Sequence, residues 1–154
     1  MVTTNLFDLS GKVALLTGAS KGMGLAMAEG LAEHGARVVI SSRKLDQCEA
    51  VAEGINERLG PGRATAIACN IGYKEQLQAL VDETHERLGP IDVLVHNAGI
   101  NPFYGSMSEI PDEAFDKIMG SNVRSVHWIC QMVGPDMIEK GKGSIMVTLS
   151  LIHI

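Results

Sequence analysis

Cysteine, basic runs and long apolar stretches are all scarce in this 154-residue chain, and each scarcity excludes a class of function. The three cysteines, Cys48, Cys69 and Cys130, are too few and too scattered for a disulfide framework or a zinc site. Reduced, buried thiols in a cytoplasmic protein are the expectation. No Lys/Arg run is longer than the pair Arg43-Lys44, and the formal net charge is −5, so no nucleic-acid partner is expected. Nothing approaches the ~18 apolar residues of a membrane-spanning helix, which leaves no expected membrane partner. Residues 1–12 lack a basic segment followed by an apolar one, the pattern of a secretory leader. His34, His85 and His127 have no metal-ligand spacing, so no metal is expected. His153 lies near Ser150, but no nucleophile elbow or third group supports a hydrolase.

What the chain does have is a regular alternation. Apolar residues make up 45% and charged residues 20%, as in soluble globular proteins, and seventeen glycines often follow apolar runs. Short apolar runs at 12–17, 37–41, 64–68, 91–95 and 143–149 are strand candidates. Between them, 44–59 and 74–88 carry apolar residues at the spacing of a helix face, while 23–34 is rich in Ala and Leu and ends at Gly35, which is placed for a left-handed cap. Residues 111–141 predict a short helix running into a longer one, with Val123, Val126, Cys130, Val133 and Met137 on one face. Pro135 is expected to kink that helix or remove one hydrogen bond. Strands joined by helices imply right-handed βαβ units, and continuous apolar strands imply a parallel sheet covered on both faces. The expected organisation is one α/β domain over the whole chain, without a linker.

The loop after the first strand is the strongest local signal. Thr17-Gly18-Ala19-Ser20-Lys21-Gly22-Met23-Gly24 spaces its glycines as G-x-x-x-G-x-G. No Gly-Lys-Ser/Thr follows as in a P-loop, and Met27 occupies the third glycine position of G-x-G-x-x-G. Gly18 suits a sharp turn off the strand, while Gly22 and Gly24 let backbone N–H groups approach a pyrophosphate at the helix N-terminus. A turn that is merely glycine-rich is the plain alternative. The loop's place between an apolar strand and an amphipathic helix favours nucleotide binding.

With that loop and the motifs that follow it, the chain strongly resembles the short-chain dehydrogenase/reductase family. Asn97-Ala98-Gly99 resembles the family's N-N-A-G signature, with His96 in place of its first Asn. Asn122 matches the family's helix asparagine, and Ser150, seven residues after Gly143, aligns with its catalytic serine. Ser41-Ser42-Arg43 and Asn101-Pro102-Phe103-Tyr104-Gly105 look most like the NADP-dependent carbonyl reductase branch.

The resemblance implies a Rossmann-type doubly wound sheet, here of five strands in the order 3-2-1-4-5. It implies catalytic roles for Ser150, which orients substrate, and Asn122, which helps hold a proton-relay water. Cofactor contacts are implied at Gly18, Ser20, Lys21, Gly22, Met23 and Gly24. Further contacts are implied at Ser42, Arg43, Asn70 and Ile71, and at Asn97, Ala98 and Gly99. The expected reaction is reduction of a small-molecule carbonyl compound or oxidation of a secondary alcohol.

The family's acid/base tyrosine belongs to a Tyr-x-x-x-Lys motif. Here Tyr73 is followed four residues later by Leu77 and Tyr104 by Ser108, so neither inherits the role. General acid–base catalysis is worth about 10²–10⁴-fold, which makes turnover by these residues alone doubtful. The expectation is a family sequence truncated before that motif. Two alternatives stay open: a catalytically inactive nucleotide-binding fragment and a complete minimal domain. The family fold implies a homo-oligomer. Apolar Leu149, Leu151, Ile152 and Ile154, with nothing evident to bury against, predict self-association or aggregation.

The end of the second strand predicts NADP(H) over NAD(H). An acidic side chain about 20 residues past the glycines bonds the ribose 2′-hydroxyl of NAD. Here that place is Ser42, and Arg43 follows with a planar fork for a 2′-phosphate. Lys21 can reach the same phosphate from the glycine loop. Asp46 lies in the next helix and is expected to point away. Asn70 stands where an aspartate often meets the adenine in the family, which weakens one base contact.

Overall fold

A computed structural model describes residues 6–149. Its strands are β1 (Val13–Thr17), β2 (Arg37–Ser42), β3 (Ala64–Ala68), β4 (Val93–His96) and β5 (Ser144–Val147). The helices are α1 (Gly22–Glu33), α2 (Leu45–Leu59), α3 (Lys74–Leu88), α4 (Asp112–Met119) and α5 (Ser125–Glu139). The five strands are all parallel, in the order β3-β2-β1-β4-β5. This is the Rossmann-type α/β sheet that the alternation and the resemblance led us to expect.

Pleating divides the apolar strand residues into two cores. Leu15, Val39, Ile67 and Leu94 meet Leu77, Leu80 and Val81 of α3 and Ile129 and Val133 of α5. On the other face Leu16, Val38, Ile40 and Val95 meet Ala28 and Ala32 of α1 and Cys48, Ala52 and Ile55 of α2. β1 lies in the middle and is buried along its whole length. That burial on both sides is why the strand sequences do not alternate.

Element ends follow local chemistry. Gly35 closes α1 at φ +102, with Ala36 N–H donating to Leu31 O and Gly35 N–H to Ala32 O, a Schellman cap. β4 starts later than the apolar run suggested, at Val93. Ile91 N–H is instead spent on the Asp136 carboxylate of α5, which also bonds His85 Nε2 of α3. Asp92 accepts from Val13 N–H and pairs with Lys12 and Lys140. Burial raises the Asp92 carboxyl, but the Val13 bond and Lys140 outweigh it and hold the group below the ordinary range. The open edge of β3 is covered by side chains. Asn56 of α2 bonds both Ala64 N and Ala64 O, and Arg87 of α3 donates to Ala66 O.

The second helical region departs from expectation in phase. A π-helical turn, Gly120–Arg124, joins α4 to α5, and the buried face of α5 is Ser125, Ile129 and Val133. Val123, placed on the core face by its spacing, is exposed, while Cys130 and Met137 pack at the core's margin. The π turn is the cause. It holds more residues per turn than an α-helix, so an apolar pattern counted from Val123 has the wrong rotation. α5 runs through Pro135 without a break. Trp128 and Met132 are packing residues against the first core.

All three cysteines are free thiols, and burial pushes Cys69 up to about 12. Among the described residues no group of His, Cys, Asp and Glu is placed to hold a metal ion. No helix among the described residues is long and apolar enough to cross a membrane.

Candidate cofactor and active site

Parallel pairing brings the C-terminal ends of the strands to one edge of the sheet. Thr17 lies in register with Ser41 on one side and His96 on the other. After β3 the chain crosses back to place β4 beside β1, so the strand order reverses between the β1 and β4 ends. Such a switch point is where open α/β sheets bind ligands.

The glycine loop lies on the β1 side of that switch point. Gly18 has φ +65, and a Cβ there would meet Ala98 Cα at 2.8 Å. At Gly24 a Cβ would lie 2.7 Å from Asn97 Nδ2 and 2.9 Å from Ala19 Cα, and nearer still to Gly18 O. The loop is therefore packed to backbone contact against residues 97–98. α1 begins immediately after Lys21, which is extended and provides no side-chain cap. N–H groups of the first turn are thus left to a ligand or to water. Ser20 is half-buried in the loop, and Lys21, Gly22 and Met23 are exposed along its rim.

The other cofactor candidates stand on neighbouring strand ends. Arg43 follows β2 and is exposed. The Ser42 hydroxyl is partly engaged at home, 3.1 Å from Cys48 Sγ and 3.4 Å from the backbone of Lys44. Asp46 lies in the exposed first turn of α2. Beyond β3, Asn70 Oδ1 accepts from Gly72 N–H and Ile71 is buried. Asn97 Nδ2 donates to Gly18 O at 3.1 Å, whereas its buried Oδ1 has no hydrogen-bond partner among the described residues. An uncapped helix start, a cradle that a Cβ would fill and an unmatched buried acceptor all fit a dinucleotide.

Asn122 lies within the π turn and clamps the loop after β4. Its Oδ1 accepts from Ile100 N–H and its Nδ2 donates to Ile100 O, both at 2.8 Å. Gly99 sits against the same side chain, where a Cβ would be 3.4 Å from Asn122 Oδ1. Ser150 lies outside the described residues. Tyr104 is exposed on the loop that follows.

Three residues that the sequence gave no reason to join meet beneath this loop. His96 Nδ1 is 3.0 Å from Thr17 Oγ1, and His96 Nε2 is 2.9 Å from Ser125 Oγ. Thr17 Oγ1 also accepts from Ala98 N–H at 3.2 Å. His96 is 1% exposed, and burial pulls its pKa down to about 4. The partners are 79 and 29 residues away in the chain, so only the strand register reveals them.

Comparison with known proteins agrees with the fold. The family described as short chain dehydrogenase matches residues 12–153. Dehydrogenase/reductase SDR family member 4 of Bos taurus is 38% identical over 144 residues, covering 93% of this chain and 50% of that protein. A solved structure of 7α-hydroxysteroid dehydrogenase, complexed with NADH and 7-oxo glycochenodeoxycholic acid, superposes with a TM-score of 0.88. It is 34% identical and the match covers 98% of this chain and 58% of that one. L-Sorbose reductase of Gluconobacter frateurii, complexed with NADPH and L-sorbose, gives a TM-score of 0.87 at 32% identity, over 94% of this chain and 54% of that one. The chain therefore spans about half the length of the relatives it matches. A family match over residues 12–153, a relative 38% identical over 93% of the chain and a matching fold together place the chain in the short-chain dehydrogenase family.

Proposed function

We propose that the chain forms the dinucleotide-binding part of an NADP(H)-dependent oxidoreductase acting on a carbonyl compound or secondary alcohol in the cytoplasm. The observation that carries the cofactor choice is the end of β2, where Ser42 and the exposed Arg43 stand in place of a carboxylate. A carboxylate there would repel a 2′-phosphate, while a guanidinium pairs with it through two N–H groups. Lys21 adds positive charge from the facing loop. Because the Ser42 hydroxyl is partly occupied by Lys44 and Cys48, Arg43 carries most of the discrimination.

The bound nicotinamide supplies or accepts hydride. The residues of this chain bind and orient. Gly18, Gly22 and Gly24 leave room for the pyrophosphate at the start of α1. Asn97, Ala98 and Gly99 form the floor, and Asn122 fixes that floor by holding Ile100. Ser150 is the substrate-orienting serine in this reading. Proton transfer requires the Tyr-x-x-x-Lys pair, which neither Tyr73 nor Tyr104 supplies, so the 154-residue polypeptide alone is expected to bind cofactor without sustained turnover.

Titration of NADPH and NADH into wild type and Arg43→Ala tests the cofactor choice. A charge-assisted hydrogen bond contributes about 1.5–3 kcal/mol, so NADPH affinity should fall roughly ten- to hundredfold with NADH affinity unchanged. Equal wild-type affinities for the two cofactors would refute the preference.

The same reading includes self-association. β5 is an edge strand whose Ile145 and Met146 are 43% and 52% exposed, and Leu149 beyond it is 58% exposed. Apolar side chains left exposed along an unpaired sheet edge draw in a second copy. Sedimentation of the 154-residue chain should show species larger than a monomer, and Met146→Lys should shift it toward monomer. A monodisperse wild-type monomer with a sharp cooperative melt would argue against it.

A further inference from the structure

The hydrogen bonds around His96 determine which ring nitrogen bears its proton. Ser125 Oγ has one proton and donates it to Ser121 O, the carbonyl one turn earlier. Toward His96 the same oxygen accepts, so Nε2 carries the hydrogen. In the neutral ring Nδ1 is then bare and accepts from the Thr17 hydroxyl, which itself accepts from Ala98 N–H. Each donor has one acceptor along the run from Ala98 through Thr17, His96 and Ser125 to Ser121.

The two ends of this run belong to different parts of the site. Ala98 lies on the loop that seats against Gly18, with Asn97 bonded to Gly18 O. Ser121 precedes Asn122, whose side chain holds Ile100 from the other side. A short residue at position 96 would reach Thr17 or Ser125 but not both. We infer that His96, as its neutral Nε2–H tautomer, is a positioning residue that ties the cofactor loop to the Asn122 turn and makes opening of that loop proton-linked. The inference rests on the dinucleotide reading for its binding consequence and on the geometry and burial of the ring for the rest.

A proton added at Nδ1 breaks the run. Nδ1–H would point at Thr17 Oγ1, and the hydroxyl proton of that 1%-exposed threonine would lose its acceptor. The groups facing the ring are Thr17 on β1, Ser125 on α5, Ser121 on the π turn and the register neighbour Val147 on β5. None of them is charged, so nothing offsets the burial that opposes protonation, in keeping with a pKa of about 4. When the loop opens, the ring gains water and an ordinary affinity for protons. Opening should therefore become easier by up to about tenfold per pH unit between roughly 6.5 and 4.

Wild type, His96→Asn, His96→Leu and Thr17→Val, each as the full chain, test this. Asn places Oδ1 where Nδ1 was and restores the acceptor for Thr17, whereas Leu restores nothing. Loss of one such hydrogen bond lowers affinity by about tenfold. NADPH affinity at pH 7 should fall by that factor in His96→Leu and in Thr17→Val, and stay within about threefold of wild type in His96→Asn. The double variant His96→Leu with Thr17→Val should lose little beyond either single change. Independently of cofactor, the protection of the Ala98 and Ile100 amides, taken relative to the intrinsic exchange rate at each pH, should fall steeply with acid in wild type and lose that steepness in His96→Asn. Nitrogen-15 spectra should show the proton on Nε2. An Nδ1–H tautomer, or Ala98 and Ile100 exchange with the same pH dependence in wild type and His96→Asn, would overturn the inference. A wild type that binds no dinucleotide would overturn the cofactor reading, and the exchange data would still judge His96.

Discussion

Gly24→Ala is expected to abolish measurable dinucleotide binding, lowering affinity at least about a hundredfold, and to destabilise the fold by about 1–3 kcal/mol. The added methyl would press on Gly18 O, 2.7 Å from Asn97 Nδ2 and 2.9 Å from Ala19 Cα. Two of these three neighbours are backbone, which cannot swing aside as a flexible side chain would. Relief requires Gly18 to move, and Gly18 O is the acceptor of the Asn97 side chain. The glycine loop and the 97–99 loop would then separate at the point where the pyrophosphate is expected. Gly30→Ala, in the same helix, is the matched control. A Cβ there meets nothing within 4 Å and the backbone is helical, so the change should stabilise by about 0.5–1 kcal/mol. Urea unfolding and NADPH titration of both variants measure the contrast. Gly24→Ala with affinity within threefold of wild type would show that the close approach does not serve the cofactor.

The parts of this fold that were legible in the sequence are those governed by local rules. Burial of a parallel strand on both faces writes a continuous apolar run, and a helix between two such runs writes a 3–4 spacing. The glycine loop was legible because its backbone needs exclude side chains. Less visible was the rotation of α5. Its core face begins with a polar residue, Ser125, buried because its hydroxyl is satisfied by His96 and Ser121. A hydrophobic pattern cannot register such a residue, and the π turn before it shifts the count again. The late start of β4 was hidden for a similar reason, since Ile91 is apolar but its N–H belongs to Asp136. His96 was visible as a departure from a motif. Its meaning required the register that sets Thr17 beside it.

That buried imidazole should dominate the acid side of the stability curve. In the folded chain His96 titrates at about 4, against about 6.5 for an unfolded histidine. Between those values the unfolded chain binds the extra proton and the folded one does not. Stability from this group is therefore fully present above about pH 6.5 and is lost progressively as pH falls toward 4. That gap corresponds to about 3 kcal/mol, a large share of the roughly 5–15 kcal/mol that holds a domain together. The low Asp92 carboxyl acts in a different window. Its folded pKa is depressed, so its contribution is present above the unfolded value near 3.8 and fades only below that. The two effects can thus be separated by pH. Urea midpoints of wild type should fall between pH 6.5 and 4.5, while those of His96→Asn should be nearly flat over the same range and start to fall near pH 4. Parallel curves for the two proteins would mean that His96 is already charged, or already exposed, in the folded chain.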